Sequence, residues 1–410
     1  MKNLKHIYRS RGSRSILTII VVLLFSVELT AFVQKWIDRA TSQVIMYGLV
    51  CILMVVYAYK NHTRTNKRPA IYTLIWIYIS LLCIRLLIDF VFQDKGFFLY
   101  KTSTTIMFFF FMSIVLPCIF FYKYEVNPPI HICMRIIGII LVACIMSSIK
   151  EIIHGNIATS GDGRYATAVF SIGFGQYGAT VLLIGIYLLL SHIKYYDWIF
   201  GGIFIIVGLL GVVFSGSRGP FIATFVCLFA YLLSFSKRKI MILIAAGVVF
   251  LLWQQIGELM FTFNDYLNKE GYHVFDRVVN SVFAPDGLGE HTNGRDRLYD
   301  EAIDLFLDNP LFGSSYLIPG KIYVHNILIE QFMATGIFGG ICFLLLNIIV
   351  LLRGWKIMCK DHKYAIIPVL YLQYFIYGCL SVTIIALFPY WLFMLLTLNK
   401  YETNNCYKAW

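Results

Sequence analysis

Apolar residues run along this chain in long blocks, and short polar stretches separate them. Twelve blocks stand out, near 15–33, 44–59, 70–92, 105–122, 130–149, 168–191, 198–215, 219–235, 240–256, 330–352, 364–380 and 382–398. Roughly 20 apolar residues carry a helix across the hydrocarbon core of a bilayer, so the pattern predicts about twelve transmembrane helices, several of them short. No internal repeat relates them. One stretch breaks the pattern: Gly257 to Tyr323 is polar and holds eleven of the chain's 22 acidic residues. Long irregular chain between spans is where function commonly sits. Inside it the periodicity predicts an amphipathic helix that Thr292-Asn293-Gly294-Arg295 starts and Asn309-Pro310 stops. Leu298, Ala302, Leu305 and Phe306 make its apolar face.

Composition agrees. The 410 residues are 59% hydrophobic and 14% charged, more apolar surface than a soluble domain can hide. The expected fold class is an all-α polytopic membrane protein. Residues 1–256 would carry helices 1–9, residues 257–323 a large extracytoplasmic loop, and residues 324–410 helices 10–12 with a cytoplasmic tail. The net charge of +12 does not mean nucleic acid, because the basic residues lie in short clusters between apolar runs. With the N-terminus inside, inner segments collect 20 Lys and Arg against 7 outside, the long insert set aside. By the positive-inside rule both termini are then cytoplasmic and the insert is outside. The first run lacks a small-residue cleavage site and reads as a retained span. The ten cysteines fall in apolar runs or inner loops. Their spacing predicts neither an extracytoplasmic disulfide nor zinc.

Several residues are candidates for chemistry. Ser215-Gly216-Ser217-Arg218-Gly219-Pro220 is a tight turn between two spans. It puts Arg218 at a helix N-terminus, where free amides and the helix dipole favour an anion, and a guanidinium adds bidentate phosphate recognition. An interfacial arginine held by lipid headgroups explains the same turn equally well. Arg295 also starts a helix and faces the same compartment. Asp296, Asp300, Asp304 and Asp308 recur every four residues. A metal site is one reading of that stripe, and a solvated helix face is the better one. His325 stands where the chain re-enters the membrane, at a helix N-terminus whose dipole favours neutral imidazole, which can accept a proton. Gly161-Asp162-Gly163-Arg164-Tyr165 offers a fourth basic group, or a flexible loop with an incidental arginine. The glycines of Ser171–Gly178 admit a re-entrant or broken span. Arg85 and Asp89, four apart, read as a structural intramembrane pair, and Arg135 as a snorkelling side chain.

The ordered set resembles the bacterial O-antigen ligase/polymerase superfamily of membrane glycan transferases. Ser217-Arg218-Gly219 carries part of the match. Gly294-Arg295, with Asn309-Pro310-Leu311-Phe312-Gly313 after it, carries another. The third is His325-Asn326 with Thr335-Gly336-Ile337-Phe338-Gly339 beyond it, and Arg164 resembles a further basic position. Two residues depart: Tyr299 stands where a Trp is usual, and Ser315 replaces a second glycine. The resemblance implies a GT-C-like helical fold in the bacterial cytoplasmic membrane. It implies an undecaprenyl-diphosphate-linked oligosaccharide donor, a glycan acceptor and chemistry on the outer face. Arg218, Arg295 and Arg164 would bind the diphosphate and His325 would act on the acceptor hydroxyl, with Ser217, Gly219, Gly294 and Asn326 in support. It calls for no metal and no cofactor. Besides membrane lipid, a chain-length regulator and a flippase become candidate partners. A polymerase of repeat units and a ligase onto lipid A core, wall or protein share every motif. A transporter is the alternative of another class, though transporters usually show internal symmetry and midplane sites.

Overall fold

The computed structural model describes residues 14–25, 39–60, 70–92, 103–124, 126–153, 171–191, 195–215, 217–235, 253–269, 295–319 and 323–399, with single positions at 240, 247, 251 and 279. Among these residues every regular element is helical. The chain opens with α1 (Arg14–Phe25), α2 (Arg39–Lys60) and α3 (Ala70–Phe92). Next, α4 (Ser103–Phe110) runs through a π-helical turn, Phe111–Val115, into α5 (Leu116–Lys123). That turn precedes Pro117, whose ring cannot accept a regular preceding turn. Then come α6 (Ile130–Ile153), α7 (Ser171–Ser191), α8 (Tyr196–Phe214), α9 (Arg218–Phe235), α10 (Trp253–Lys269) and α11 (Arg295–Asp308). The chain continues through α12 (Ile327–Lys360), α13 (Ile366–Ser381), a 3-10 turn at Ile384–Ala386, and α14 (Phe388–Leu398).

Among the described residues, six helices are long and apolar enough to cross a membrane, and five shorter apolar ones accompany them. The chain is therefore a multi-pass membrane protein. Helices occupy every expected run except the ninth, most of which lies outside the described residues. Three expectations need correction, the snorkelling of Arg135 among them. Ser171–Ser191 is one unbroken helix, not re-entrant. Its glycines serve packing: a Cβ on Gly178 would sit 2.6 Å from the Val212 amide of α8, and one on Gly208 would sit 2.5 Å from the Leu182 amide of α7. Small residues let membrane helices approach this closely. The last run is α-helical only from Phe388, after extended Val382 and Thr383 and a 3-10 turn, with Pro389 in the first turn of α14. Proline starts a helix well and continues one badly.

Buried polar groups tie the bundle's centre together. Gln373 Nε2 of α13 donates to Thr180 Oγ1 at 2.9 Å and to the Gln176 carbonyl at 3.0 Å, joining α13 to α7. At the starts of α6 and α8, buried Asp197 takes Arg135 on one oxygen at 2.6 Å and His131 on the other at 3.1 Å. Arg135 is thus an ion-paired residue and does not snorkel.

α12 is bent where the sequence offered only an apolar run. Gly336 sits at φ 63°, ψ −164°, a conformation open only to glycine. Where the helix breaks, the loop after α11 docks. The Ile337 amide donates to the Pro310 carbonyl at 2.7 Å, and the Ser314 amide donates to the Met333 carbonyl at 2.9 Å. Backbone groups freed at membrane depth must find partners inside the protein, and these two segments supply them to each other. Gly313, also at positive φ, faces Ala334 so closely that a Cβ would lie 2.4 Å from its carbonyl. Two motifs well separated in sequence, 309–313 and 335–339, are one contact in space.

Candidate active site

α11 lies against the start of α12. Ala302 is buried among Ile318, Val324 and Met333, with Leu298, Tyr299 and Leu305 packed around them, while Phe306 meets Phe332 edge-on. Asp296, Asp300, Asp304 and Asp308 are all exposed, so the stripe is a solvated face. The helix is held by its apolar side, and that holds Arg295, its first residue, above the end of α13.

The last turn of α13 gathers the candidates. A helix leaves its final carbonyls without intrahelical partners and with a partial negative charge. Arg295 Nη1 donates to the Leu380 carbonyl at 2.5 Å, and His325 Nδ1 lies 3.0 Å from the Ser381 carbonyl. A carbonyl oxygen only accepts, so Nδ1 carries the proton, and in the neutral ring the lone pair is on Nε2. The first turn of α9 is the third side. A Cβ on Gly219 would stand 3.7 Å from Leu380 Cδ1 and 3.9 Å from Ser381 Oγ. Arg218 is the first residue of that helix, and its guanidinium and that of Arg295 repel one another. Two cations at neighbouring helix N-termini are suited to an anion.

His325 stands just before the helix and not within it. Among the described residues it alone, glycines aside, has positive φ, at 64°; such strain costs on the order of 1–3 kcal/mol. Its ring packs on Tyr323 at a centroid distance of 4.4 Å. The pKa of His325 lies below its ordinary value of 6.5 because burial disfavours the imidazolium. The Arg295 charge adds to that, and the bond to Ser381 opposes it. The sequence predicted neutral imidazole from the helix dipole; burial is the larger cause here.

Asn326 caps α12, its side chain accepting from the Leu328 and Ile329 amides at 3.0 and 3.3 Å. Tyr299 reaches back to the Asn326 side chain, and burial raises its pKa. It thus links α11 to this cap. Ser315, the other departure, bonds the Leu317 carbonyl at 2.6 Å. Ser217 closes the turn before α9, its amide donating to Ser215 Oγ at 3.3 Å. Arg164 and Gly294 lie outside the described residues. Sequence reasoning missed Leu380 and Ser381, which act through backbone oxygens. Ser381, standing between the apolar runs 364–380 and 382–398, was the available signal.

Among the described residues, a helical bundle brings two helix-starting arginines and a strained, half-buried histidine to one end, an arrangement suited to an anionic substrate. Residues 202–344 match the family model described as O-antigen ligase, Wzy_C. That stretch contains Arg218, Arg295 and His325. The match supports the O-antigen ligase/polymerase superfamily and, with it, glycosyltransferase-like activity on lipid-linked glycans. No curated protein matches the chain.

Proposed function

We propose that this protein is a glycan polymerase that joins undecaprenyl-diphosphate-linked oligosaccharide units into a surface polysaccharide on the outer face of the bacterial cytoplasmic membrane. One observation carries the reading: Arg295 and His325 are fixed on adjacent carbonyls of α13, with Arg218 on the neighbouring helix start. In the reaction an acceptor hydroxyl attacks the anomeric carbon of the donor. A new C–O bond forms, the bond to the diphosphate oxygen breaks, and the lipid diphosphate leaves with the electron pair. His325 Nε2 takes the hydroxyl proton. Arg218 and Arg295, with Arg164 as a third cation, offset the negative charge that grows on the leaving group. These cations suffice without a metal.

The test is purified protein with lipid-linked oligosaccharide in EDTA. Wild-type protein is expected to make polymer. Arg218→Ala, Arg295→Ala and His325→Ala are each expected to lose at least about 100-fold in rate while still inserting. Normal ladders from all three variants, or strict dependence on a divalent ion, overturn the proposal. A ligase reading has support in the matched family's description. The deletion phenotype separates the two. Single repeat units on the final acceptor mean polymerase, and long lipid-linked chains that never transfer mean ligase.

A further inference from the structure

The carbonyls that hold Arg295 and His325 end a helix, and the chain beyond them is irregular: Val382 and Thr383 are extended before the 3-10 turn. An irregular segment at membrane depth keeps its shape only if its backbone groups are satisfied within the protein. Three donors converge on Glu330 Oε1: the Ile384 amide, the Tyr316 hydroxyl and Gln331 Nε2, each at 3.1 Å. Glu330 is fully buried, in the first turn of α12. The Tyr316 hydroxyl also bonds Thr383. At its other end, the Tyr316 amide donates to Asp89 Oδ2 at 2.7 Å. Asp89 pairs with Arg85, and Arg85 Nη1 points to the Gly313 carbonyl at 3.4 Å. An unbroken chain of polar contacts thus runs from α3 through the loop after α11 to Ile384, three residues past Ser381.

We infer that Glu330 and Tyr316 are positioning residues: they fix the turn after α13 so that the Leu380 and Ser381 carbonyls stay aimed at Arg295 and His325. This rests on the assignment of His325 as the base. Charged and polar side chains inside a membrane are costly, and here the chain of contacts ends on the Ile384 amide, backbone that leads into the site. The Asn347 cluster is different. Asn347 Oδ1 accepts from Tyr371 at 2.6 Å and Tyr390 at 2.7 Å, roughly five turns further along α12. It ties α12, α13 and α14 together away from the site and serves as the control.

The experiment measures kcat per folded molecule and donor KM on the full chain in nanodiscs. Misplacing a reacting group by about 1 Å costs on the order of 100-fold, so Tyr316→Phe and Glu330→Leu are expected to lower kcat about 10- to 100-fold with donor KM within about threefold. Glu330→Gln keeps an acceptor oxygen in place and is expected to retain kcat within about threefold. Asn347→Leu is expected to lower melting temperature and leave kcat unchanged. Wild-type kcat in Tyr316→Phe, or an equal kcat loss in Asn347→Leu, overturns the inference. Tyr316→Phe keeps the test open should Glu330→Leu fail to fold. His325→Ala, measured alongside, separates the two readings. Full activity there overturns the base assignment. An inactive His325→Ala beside a fully active Tyr316→Phe overturns the positioning inference alone.

Discussion

His325 combines three properties: positive φ, partial burial, and a ring nitrogen tied to the end of another helix. Burial and Arg295 lower its pKa below 6.5, and the sign of the consequence is fixed. A base acts in its neutral form, protonation removes it, and a lowered pKa moves that loss to lower pH. The acid limb of kcat/KM is therefore expected to inflect below pH 6.5. An Arg295→Ala variant removes a repelling charge, so its residual activity should show the inflection moved upward. A limb above 6.5 in the wild-type protein contradicts a neutral His325. At this scale the sequence was informative where a side chain acts. Arg218, Arg295 and His325 could be read as charged or titratable groups at the edges of apolar runs. It was nearly silent where backbone acts, since only the polar Ser381 between two apolar runs marked the place of the Leu380 and Ser381 carbonyls. Tyr316 and Glu330 read as ordinary loop and helix residues until α3 and the 382–386 segment come beside them.

At the scale of elements, hydropathy found the helices and missed their breaks. Periodicity placed α11 to within a residue of its ends, because its apolar face and its proline stop are both local signals. It carried an apolar run straight through Gly336, because a break satisfied by a distant loop changes no hydropathy. The Gly336 conformation is the element-level prediction. Forcing an L residue into this glycine-only region costs on the order of 1–3 kcal/mol. Here a Cβ would also lie 2.4 Å from the Leu311 carbonyl, which is backbone and cannot swing away. Gly336→Ala is expected to lower the melting temperature in detergent by several degrees or more and to release the loop that carries Tyr316. Gly202→Ala on α8 is the matched control, because nothing lies within 4 Å of its Cβ position; it should melt like the wild type. Equal melting of the two variants would mean that the α12 bend does not hold this loop.

For the whole molecule, the strongest inference from sequence is one of sidedness, and the fold makes it measurable. The site residues all sit at one end of the bundle: α9 and α11 begin there, α13 ends there and α12 enters there. The Arg135–Asp197 pair marks the other end, at the start of α8. The count of Lys and Arg predicts that the first end is outside, as the proposed outer-leaflet donor requires. Two positions report on this directly. Asp304 is exposed on the solvated face of α11, and Cys359 is an exposed native thiol near the far end of α12. In a Cys406→Ser background, Asp304→Cys is expected to react with a membrane-impermeant maleimide on intact, outer-membrane-permeable cells, while Cys359 reacts only after the cytoplasmic membrane is opened. The reverse pattern would place the arginines and His325 in the cytoplasm, away from an outer-leaflet glycan donor. Sidedness therefore tests the polymerase and ligase readings together, and it does so without any knowledge of the sugar.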